Sequence, residues 1–209
     1  MDLLKQLGWR YAVKKFDPDR KVAAEHLEKI LEAARLAPSA FGLQPYRLLV
    51  IADKQVREAL VEYSMNQDKV LNSSHLLVFA IRREINDADI EQYLQLIAET
   101  RDTPRENLAG LERILREFIG AMSPEGYRDW AARQAYLALG NLLTACALQQ
   151  VDACPMEGFA PAAYDRLLQL DQIGLAATVI ATLGYRAADD PYAGLRKVRM
   201  PKDEFVIRV

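Results

Sequence analysis

Residues 10–16 read Arg-Tyr-Ala-Val-Lys-Lys-Phe and lead directly into Asp17-Pro18. Cations alternate here with aromatic and aliphatic residues, which is typical of positive charge held against a partly buried anionic or flat ligand. If the run is helical, Arg10 and Lys14 are four residues apart and share one face. Two cations on one face repel each other, and a bound phosphate or an electron-rich ring would offset them. Alternatively, the run is a helix end whose cations meet the negative end of the helix dipole.

Length and composition indicate an ordinary soluble globular protein. The 209 residues are 51% hydrophobic and 27% charged, and they can bury one sizeable core without a second domain. A net charge of -2 argues against a nucleic-acid partner, because nucleic-acid-binding domains are usually strongly basic. We therefore expect a single domain, residues 1–209, with a charged helical excursion at about 84–120.

The sequence gives no indication of a metal site, a disulfide framework or a membrane span. Two cysteines, Cys146 and Cys154, and two histidines, His26 and His75, are too few for a disulfide framework or a typical zinc site. A reducing cytoplasm is the expected compartment. The longest uncharged run, residues 134–151, contains several polar side chains and a glycine, so it suits a helix buried on most sides better than one in lipid. Such a helix in a chain of this size points to an oligomer.

Hydrophobic periodicity divides the chain into helices and short apolar strands. Helices are predicted over 23–36, 54–62, 127–149 and 162–170, and strands over 47–52, 76–81, 176–183 and 205–209. A short extended piece is predicted at 151–159. The loop at 37–46 is rich in Pro, Gly and small residues, which allow a ligand to approach the backbone closely.

Two basic clusters lie at opposite ends of this acidic chain: Arg10 with Lys14, and Lys197 with Arg199. If the fold brings them together they form an anion site, in which each arginine can make a bidentate contact to phosphate. Taken separately, each cluster has the simpler interpretation of a solvated face. The sequence contains no P-loop, no G-x-G-x-x-G and no G-x-S-x-G motif. Few acid–base candidates remain, which fits chemistry carried by a phosphate-bearing cofactor.

Five segments, taken in order, resemble the FMN-dependent NAD(P)H nitroreductase family, and most closely the oxygen-insensitive bacterial nitroreductases. They are R-Y-A-V-K-K-F-D at 10–17, A-P-S-A-F-G-L-Q-P-Y at 37–46, N-Q-D-K at 66–69, P-M-E-G-F at 155–159 and K-V-R-M-P at 197–201. The resemblance implies an α+β fold, namely a three-layer sandwich with a central mixed β-sheet flanked by helices. It also implies a homodimer in which the C-terminal strand crosses to the neighbouring subunit.

The resemblance further implies a cofactor site. Arg10, Lys197 and Arg199 would hold the FMN phosphate. The pyrimidine end of the isoalloxazine would face Lys14, Asn66 and Lys69, where a cation stabilises the negative charge that develops on reduction.

The other cofactor contacts follow from the same motifs. Backbone N–H groups of Glu157 and Gly158 would point at flavin N5 and O4, and Lys14 and Glu157 are the predicted catalytic residues. The remaining cofactor contacts are Tyr11, Ala12, Pro38, Ser39, Ala40, Gln44, Pro155 and Met156.

Several positions depart from the family pattern. Tyr11 and Ala12 stand where the bacterial enzymes often carry His-Ser, so a side-chain hydroxyl contact at position 12 is lost. Phe41 and Gly42 replace polar residues commonly found beside the nicotinamide and the substrate, which makes the mouth of the site more aromatic. With Phe118 as a candidate gate, these two residues form the predicted substrate-binding set.

The resemblance implies an enzyme that takes hydride from NAD(P)H and reduces nitroaromatic or quinone-type acceptors by a ping-pong mechanism, without a metal. A dihydropteridine or enone reductase of the same flavin family is the alternative within this cofactor class. A flavin-binding protein without turnover, and an unliganded helical interaction protein with basic ends, are alternatives from other classes.

Overall fold

The computed structural model describes residues 2–209, in which nine α-helices flank a four-stranded sheet. The helices are α1 (Leu3–Trp9), α2 (Ala24–Arg35), α3 (Lys54–Val61), α4 (Lys69–Asn72), α5 (Asp87–Arg101), α6 (Ala109–Gly120), α7 (Pro124–Leu148), α8 (Pro161–Leu167) and α9 (Lys202–Phe205). The strands are β1 (Tyr46–Ile51), β2 (His75–Arg82), β3 (Asp152–Met156) and β4 (Leu175–Gly184). The helices and strands predicted between residues 23 and 183 are all present, with their ends shifted by a few residues.

The sheet has the strand order β1-β2-β4-β3, and every neighbouring pair is antiparallel. The predicted α+β class is confirmed, but the four strands do not form the expected mixed sheet. Parallel pairing among residues 2–209 is limited to the isolated bridge between Ala12 and Ala153. The C-terminal segment, which was expected to behave as a further strand, does not join the sheet of this single chain.

Alternate side chains of β2 enter two separate apolar layers, as the two-residue period of a strand requires. Leu77 and Phe79 belong to the core on one face, together with buried residues of α2 and α7. Val78 and Ala80 belong to the core on the other face, together with Leu60 of α3 and buried residues of α8. The predicted arrangement of a sheet between helical layers is therefore confirmed.

The helix α7 is the long buried helix that the sequence predicts. It begins at Pro124, and the hydroxyl of Ser123 caps it by accepting a hydrogen bond from the Gly126 backbone N–H at 3.1 Å. Most of its apolar residues are buried, but Tyr136 and Leu137 are exposed. None of the helices described within residues 2–209 is long and apolar enough to cross a membrane.

A charged segment, consisting of α5, α6 and the turn between them, projects from the sheet and packs around its own small core. That core contains Ile90, Leu94, Ile97 and Leu115. An Asn86–Asp89 capping box starts α5, and Arg105 bridges Glu91 of α5 and Glu112 of α6. The charges of this segment therefore lie on its outer faces and pair with one another.

Residues 10–16 are not helical, so Arg10 and Lys14 do not share a helix face. The helix α1 ends at Trp9, and the run makes isolated bridges from Ala12 to Ala153 and from Phe16 to Arg186, with a bend at Lys14 and Lys15 between them. The backbone N–H groups of Lys14 and Lys15 donate to one Asp190 carboxylate oxygen, at 2.9 and 3.0 Å. A distant acid thus satisfies the donors that a helix would have satisfied locally.

The strand predicted at 205–209 is wrong for the single chain. Residues Lys202–Phe205 form the short helix α9, and residues 206–209 are not in a strand. The segment lacks a strand partner within residues 2–209, and its alternating apolar side chains are exposed. The exposed apolar residues from the start of the tail onward are Val198, Met200, Phe205, Ile207 and Val209.

Candidate functional site

The two basic clusters at the ends of the chain meet in the folded protein. Lys197 Nζ donates hydrogen bonds to the backbone carbonyl oxygens of Leu7, at 2.6 Å, and Arg10. Arg10, Lys197 and Arg199 line one cavity of about 570 Å³. The two clusters, which the sequence predicts to form an anion site if the fold joins them, therefore do line one cavity.

These three cations are not neutralised by neighbouring acids. No carboxylate in the described part of the chain, residues 2–209, lies within ion-pair distance of any of them. Burial, followed by the charge of Arg199, lowers the pKa of Arg10. Burial, followed by the charges of Arg10 and Arg199, lowers the pKa of Lys197. The three cations therefore repel one another, and a bound anion would reduce this repulsion.

A fourth cation, Arg186, lines the same cavity but is already paired. The carboxylate of Asp152, which is only 4% exposed, accepts hydrogen bonds from the Arg186 backbone N–H at 2.7 Å and from its guanidinium group. The guanidinium carbon also lies 4.3 Å from the ring centroid of Trp9 and 4.5 Å from that of Tyr11. Arg186 is thus held in the wall of the cavity by an acid and two aromatic rings, and its charge is already compensated.

The contact with Arg186 gives a physical reason for Tyr11, which departs from the family pattern. Its ring covers one face of the Arg186 guanidinium, and burial raises the pKa of its hydroxyl although Arg186 opposes the shift. The nearby Asp190 carboxylate raises this pKa further. Ala12 contributes its backbone to the bridge with Ala153.

Lys14 lines the same cavity as Arg186. Its ammonium nitrogen is 5.7 Å from the ring centroid of Tyr192, and both residues line the cavity. Asp190 fixes the backbone at this point, because its two carboxylate oxygens accept from the N–H groups of Lys14 and of Tyr192. Burial opposes ionisation of Asp190, but these backbone hydrogen bonds lower its pKa, so it remains a fixed anion. The Lys14 side chain is therefore left available to a ligand.

The 66–69 and 155–159 motifs lie against each other. The Gln67 side-chain amide donates to the Gly158 carbonyl oxygen at 3.1 Å. A Cβ built on Gly158 would lie 3.0 Å from the sulfur of Met65, so the two segments are closely packed at this point. Asn66 has a left-handed backbone, with φ of 53°, which turns the chain into α4 and its first residue, the buried Lys69.

Glu157 is held by the long helix. The Tyr136 hydroxyl donates to Glu157 Oε1 at 2.6 Å, and burial together with this carboxylate raises the pKa of Tyr136 to about 12. Pro155 and Met156 join these two residues in lining a cavity of about 500 Å³.

The small-residue loop forms a third region, at the other side of α7. Its Ala40 backbone N–H donates to the Gln134 side-chain oxygen at 2.8 Å. Within the loop, the Gln44 backbone N–H donates to Ser39 Oγ at 3.1 Å. The loop segment that follows Pro38 is thus tied to α7 and to itself.

Two members of the predicted substrate-binding set are in direct contact. The rings of Phe41 and Phe118 pack edge to face with centroids 5.0 Å apart, and Phe118 packs in the same way on Trp130 at 5.6 Å. Phe41 and its neighbour Gly42 both have positive φ, 57° and 78°. The two phenylalanines therefore form one aromatic wall, next to the loop.

One chain does not bring all the predicted site residues into one cavity. The basic cavity contains neither loop residues 38–44 nor residues 155–158, and the Glu157 cavity contains neither the loop nor the three cations. The helix α7 connects the last two regions, through Gln134 to the loop and through Tyr136 to Glu157.

A sequence profile of the Nitroreductase family matches residues 7–185. The chain belongs to the Nitroreductase family. A provisionally named NAD(P)H nitroreductase of Staphylococcus haemolyticus is 31% identical over 212 aligned residues, which cover 98% of this chain and 95% of that protein. Lys197 and Arg199 lie outside the stretch that the family profile matches, so their place beside Arg10 rests on the geometry of this nitroreductase-family chain.

Solved structures confirm the nitroreductase fold. A provisionally assigned nitroreductase from Bacillus subtilis has a TM-score of 0.85 at 25% identity, with 99% of this chain and 98% of that chain covered. One from Exiguobacterium sibiricum, solved in complex with FMN, has a TM-score of 0.84 at 21% identity, covering 100% and 98%. A gut-bacterial enone reductase has a TM-score of 0.82 at 19% identity, covering 100% and 98%.

Sequence reasoning missed three residues that shape this candidate site, namely Asp152, Arg186 and Asp190. Asp152 and Arg186 flank the apolar segments that become β3 and β4, and these two strands are neighbours. A lone acid and a lone arginine at the ends of adjacent buried strands are a usable signal for an ion pair. No comparable signal marks Asp190, because its partners are backbone N–H groups far along the chain.

Proposed function

We propose that this protein is an FMN-dependent oxidoreductase that takes hydride from NAD(P)H and reduces nitroaromatic or quinone-type acceptors. The observation that carries the proposal is the convergence of Arg10, Lys197 and Arg199 on one cavity without a compensating acid. The membership of the Nitroreductase family supports it. The FMN bound to the Exiguobacterium sibiricum structure, and the name of the Staphylococcus haemolyticus relative, point to the same cofactors.

The residues present fit FMN. A phosphate needs concentrated, unpaired positive charge, which Arg10, Lys197 and Arg199 supply as charge-assisted donors. Lys14 is held on the wall of the same cavity through its backbone, with its ammonium group free of any carboxylate within residues 2–209.

The remaining predicted contacts belong to the same proposal. Asn66, Lys69, Glu157 and Gly158 would meet the ring system, with Lys14 and Lys69 favouring the form that carries negative charge. Loop residues Pro38, Ser39, Ala40 and Gln44 would line the ring system and the ribityl chain. Pro155 and Met156 would line its other side.

FMN, when bound, supplies the two-electron chemistry that accepts hydride from a nicotinamide and passes electrons to an oxidant. The overall reaction balances for both acceptor classes. NAD(P)H and one proton convert a quinone to a hydroquinone, or a nitro group to a nitroso group plus water, with NAD(P)⁺ as the other product. The chain itself must bind, orient and stabilise charge, which agrees with its small number of acid–base candidates. A ping-pong order follows if donor and acceptor use the same mouth in turn.

The proposal includes a homodimer, because the predicted contacts are divided among separate regions of one chain. A second copy could bring its loop 38–44 and Phe118 to the cations and to Glu157 of the first. Three surfaces support such an assembly. The tail exposes apolar residues up to Val209, and β1 is an edge strand with no neighbour on its outer side within residues 2–209. The exposed Tyr136 and Leu137 provide a further apolar patch on α7.

The aromatic wall of Phe41 and Phe118 favours flat, aromatic acceptors. An enone is the second candidate acceptor, because an enone reductase shares this fold. A cytoplasmic location belongs to the proposal, since the reaction consumes NAD(P)H.

The acceptor class is tested with protein loaded with FMN and given NADH or NADPH together with nitrobenzene, menadione, dihydropteridine or an unsaturated ketone. The proposal predicts the highest kcat/KM with nitrobenzene or menadione. A higher kcat/KM on the unsaturated ketone would replace the proposed acceptor with the enone. A yellow protein that NAD(P)H cannot bleach would instead be a flavin-binding protein without turnover.

A further inference from the structure

We infer that Tyr93 is a positioning residue that fixes Phe41 in its left-handed backbone conformation and thereby sets the mouth for flat aromatic acceptors. The inference rests on the proposed function, because Phe41 and Phe118 are taken there as the wall of the acceptor site. Tyr93 lies on α5, outside the five motifs and outside the predicted site.

The contact that carries the inference runs from the charged segment to the loop. The Tyr93 hydroxyl donates a hydrogen bond to the backbone carbonyl oxygen of Phe41. The same oxygen of Tyr93 would lie 2.5 Å from a Cβ built on Gly42, so only glycine leaves room for it. Burial raises the pKa of Tyr93, although Arg101 opposes the shift, so the hydroxyl remains a donor at neutral pH.

Phe41 needs an external constraint of this kind. Its φ and ψ of 57° and 2° place it outside the regions that residues with a Cβ prefer. Such conformations persist when surrounding contacts determine them. The hydrogen bond from Tyr93 and the close fit at Gly42 are contacts of this sort, and both depend on one side chain.

The constraint reaches the acceptor site because Phe41 carries its ring to Phe118. The centroids are 5.0 Å apart, and Phe118 is in turn supported by Trp130. The helix that holds Tyr93 is firmly placed, since Arg82 of β2 pairs with Asp89 near the start of α5. Through Tyr93, the helix α5 therefore fixes the backbone of Phe41 and with it the position of the Phe41 ring.

The test compares Tyr93→Phe with the wild type, both loaded with FMN. The variant keeps the ring and removes only the donor. We expect the KM for nitrobenzene to rise about fivefold, the effect of one lost hydrogen bond. The limiting rate of anaerobic reduction at saturating NAD(P)H should not change, because no contact to the cofactor is removed.

Tyr127→Phe is the matched control. Its ring lies 5.7 Å from Trp130 in the same aromatic group, but its buried hydroxyl has no hydrogen-bond partner within residues 2–209. Removing that hydroxyl should leave the KM for nitrobenzene unchanged. An equal rise in KM for the Tyr127 and Tyr93 variants would overturn the inference. The rise would then come from disturbed packing of the aromatic group and not from the lost hydrogen bond to Phe41.

A double-mutant cycle with Gly42→Ala supplies an independent arm. If Tyr93 acts through the loop, Gly42→Ala raises the KM by a larger factor in the wild type than in Tyr93→Phe, where the clashing oxygen is gone. Additive effects, or an unchanged KM in a folded Tyr93→Phe protein, would overturn the inference. Bleaching of the wild-type flavin by NAD(P)H tests the proposed function separately. A failure of the proposed function can therefore be distinguished from a failure of the positioning role of Tyr93.

Discussion

The ammonium group of Lys197 donates a hydrogen bond to the backbone carbonyl oxygen of Arg10. This contact joins the two ends of the chain and brings Arg199 close enough to lower the pKa of Arg10, after the larger effect of burial. The cavity between them is therefore built to receive negative charge. Its occupant in our account is the phosphate of FMN.

Arg199→Ala is expected to weaken FMN binding by about 10- to 100-fold, since a hydrogen bond to a charged group contributes about 1.5–3 kcal/mol. Riboflavin, which lacks the phosphate, should bind the variant and the wild type equally well. Quenching of flavin fluorescence measures both affinities. Lys202→Ala, which removes an exposed tail cation outside the cavity, is the control. An equal loss for riboflavin would show that Arg199 does not act on the phosphate.

Lys14→Ala should slow the reduction of bound FMN by about 10²-fold, because a preorganised charge near the ring is lost. Stopped-flow absorbance under anaerobic conditions measures the rate. The neighbouring Lys15 gives a matched control, since its ammonium group pairs with Asp189 at the surface. Lys15→Ala should reduce at the wild-type rate. An unchanged rate in Lys14→Ala would reject the assigned role.

Asp152→Asn should lower the free energy of unfolding by about 3 kcal/mol, because Arg186 would lose its charged partner at a site where the carboxylate is buried. Urea denaturation measures the change. Asp189→Asn breaks an exposed pair and should cost less than about 1 kcal/mol. Similar losses of unfolding free energy in the two variants would mean that the Asp152–Arg186 pair stabilises the fold no more than a surface ion pair does.

The stability of the protein should fall as the pH drops through the titration of His75. Burial, then Arg57 and Lys21, lower the pKa of His75. The unfolded chain therefore takes up this proton at a higher pH than the folded chain. The contribution of His75 to the free energy of unfolding is complete above its unfolded-state pKa of about 6.5. This contribution is lost as the pH falls through the lower pKa of His75 in the folded protein. Unfolding free energies measured at several pH values should show a shallower slope for His75→Gln; an identical slope would contradict the assignment.

Deleting residues 203–209 tests the dimer. We expect the wild type to sediment as a dimer and the truncated protein to sediment as a monomer with weakened FMN binding, because the deletion removes exposed apolar residues that would pack on the second copy. Analytical ultracentrifugation distinguishes the two states. A monomeric wild type that still binds FMN tightly would contradict the divided site.

Much of the fold could be predicted from the sequence because the signals are local. The continuous apolar run that becomes β2, and the Ser-Pro start of α7, each specify an element through neighbours in the chain. The tail at 205–209 shows the limit of this reasoning. An alternating pattern gives strand character, but a strand requires a partner, and the single chain provides none for these residues within 2–209.

The site was harder to predict because its geometry depends on long-range contacts. Residues 10–16 are not helical, and Asp190 accepts two of their backbone N–H groups, which no local pattern reveals. The pairing of Arg186 with Asp152 and the contact of Tyr93 with Phe41 likewise join distant segments. The motifs identify the cations, and only the fold shows that Arg10, Lys14, Lys197 and Arg199 line one cavity. The fold also shows that Arg186, in the same cavity, is paired with Asp152.

The most direct test of the central claim is an anaerobic titration of the purified, FMN-loaded protein with NADH and NADPH, followed by visible absorbance. Our account predicts a yellow protein whose flavin absorbance is bleached by a stoichiometric amount of at least one of the two donors and restored by nitrobenzene or menadione. A protein that remains colourless and does not bind added FMN would contradict it, as would a yellow protein that neither donor bleaches.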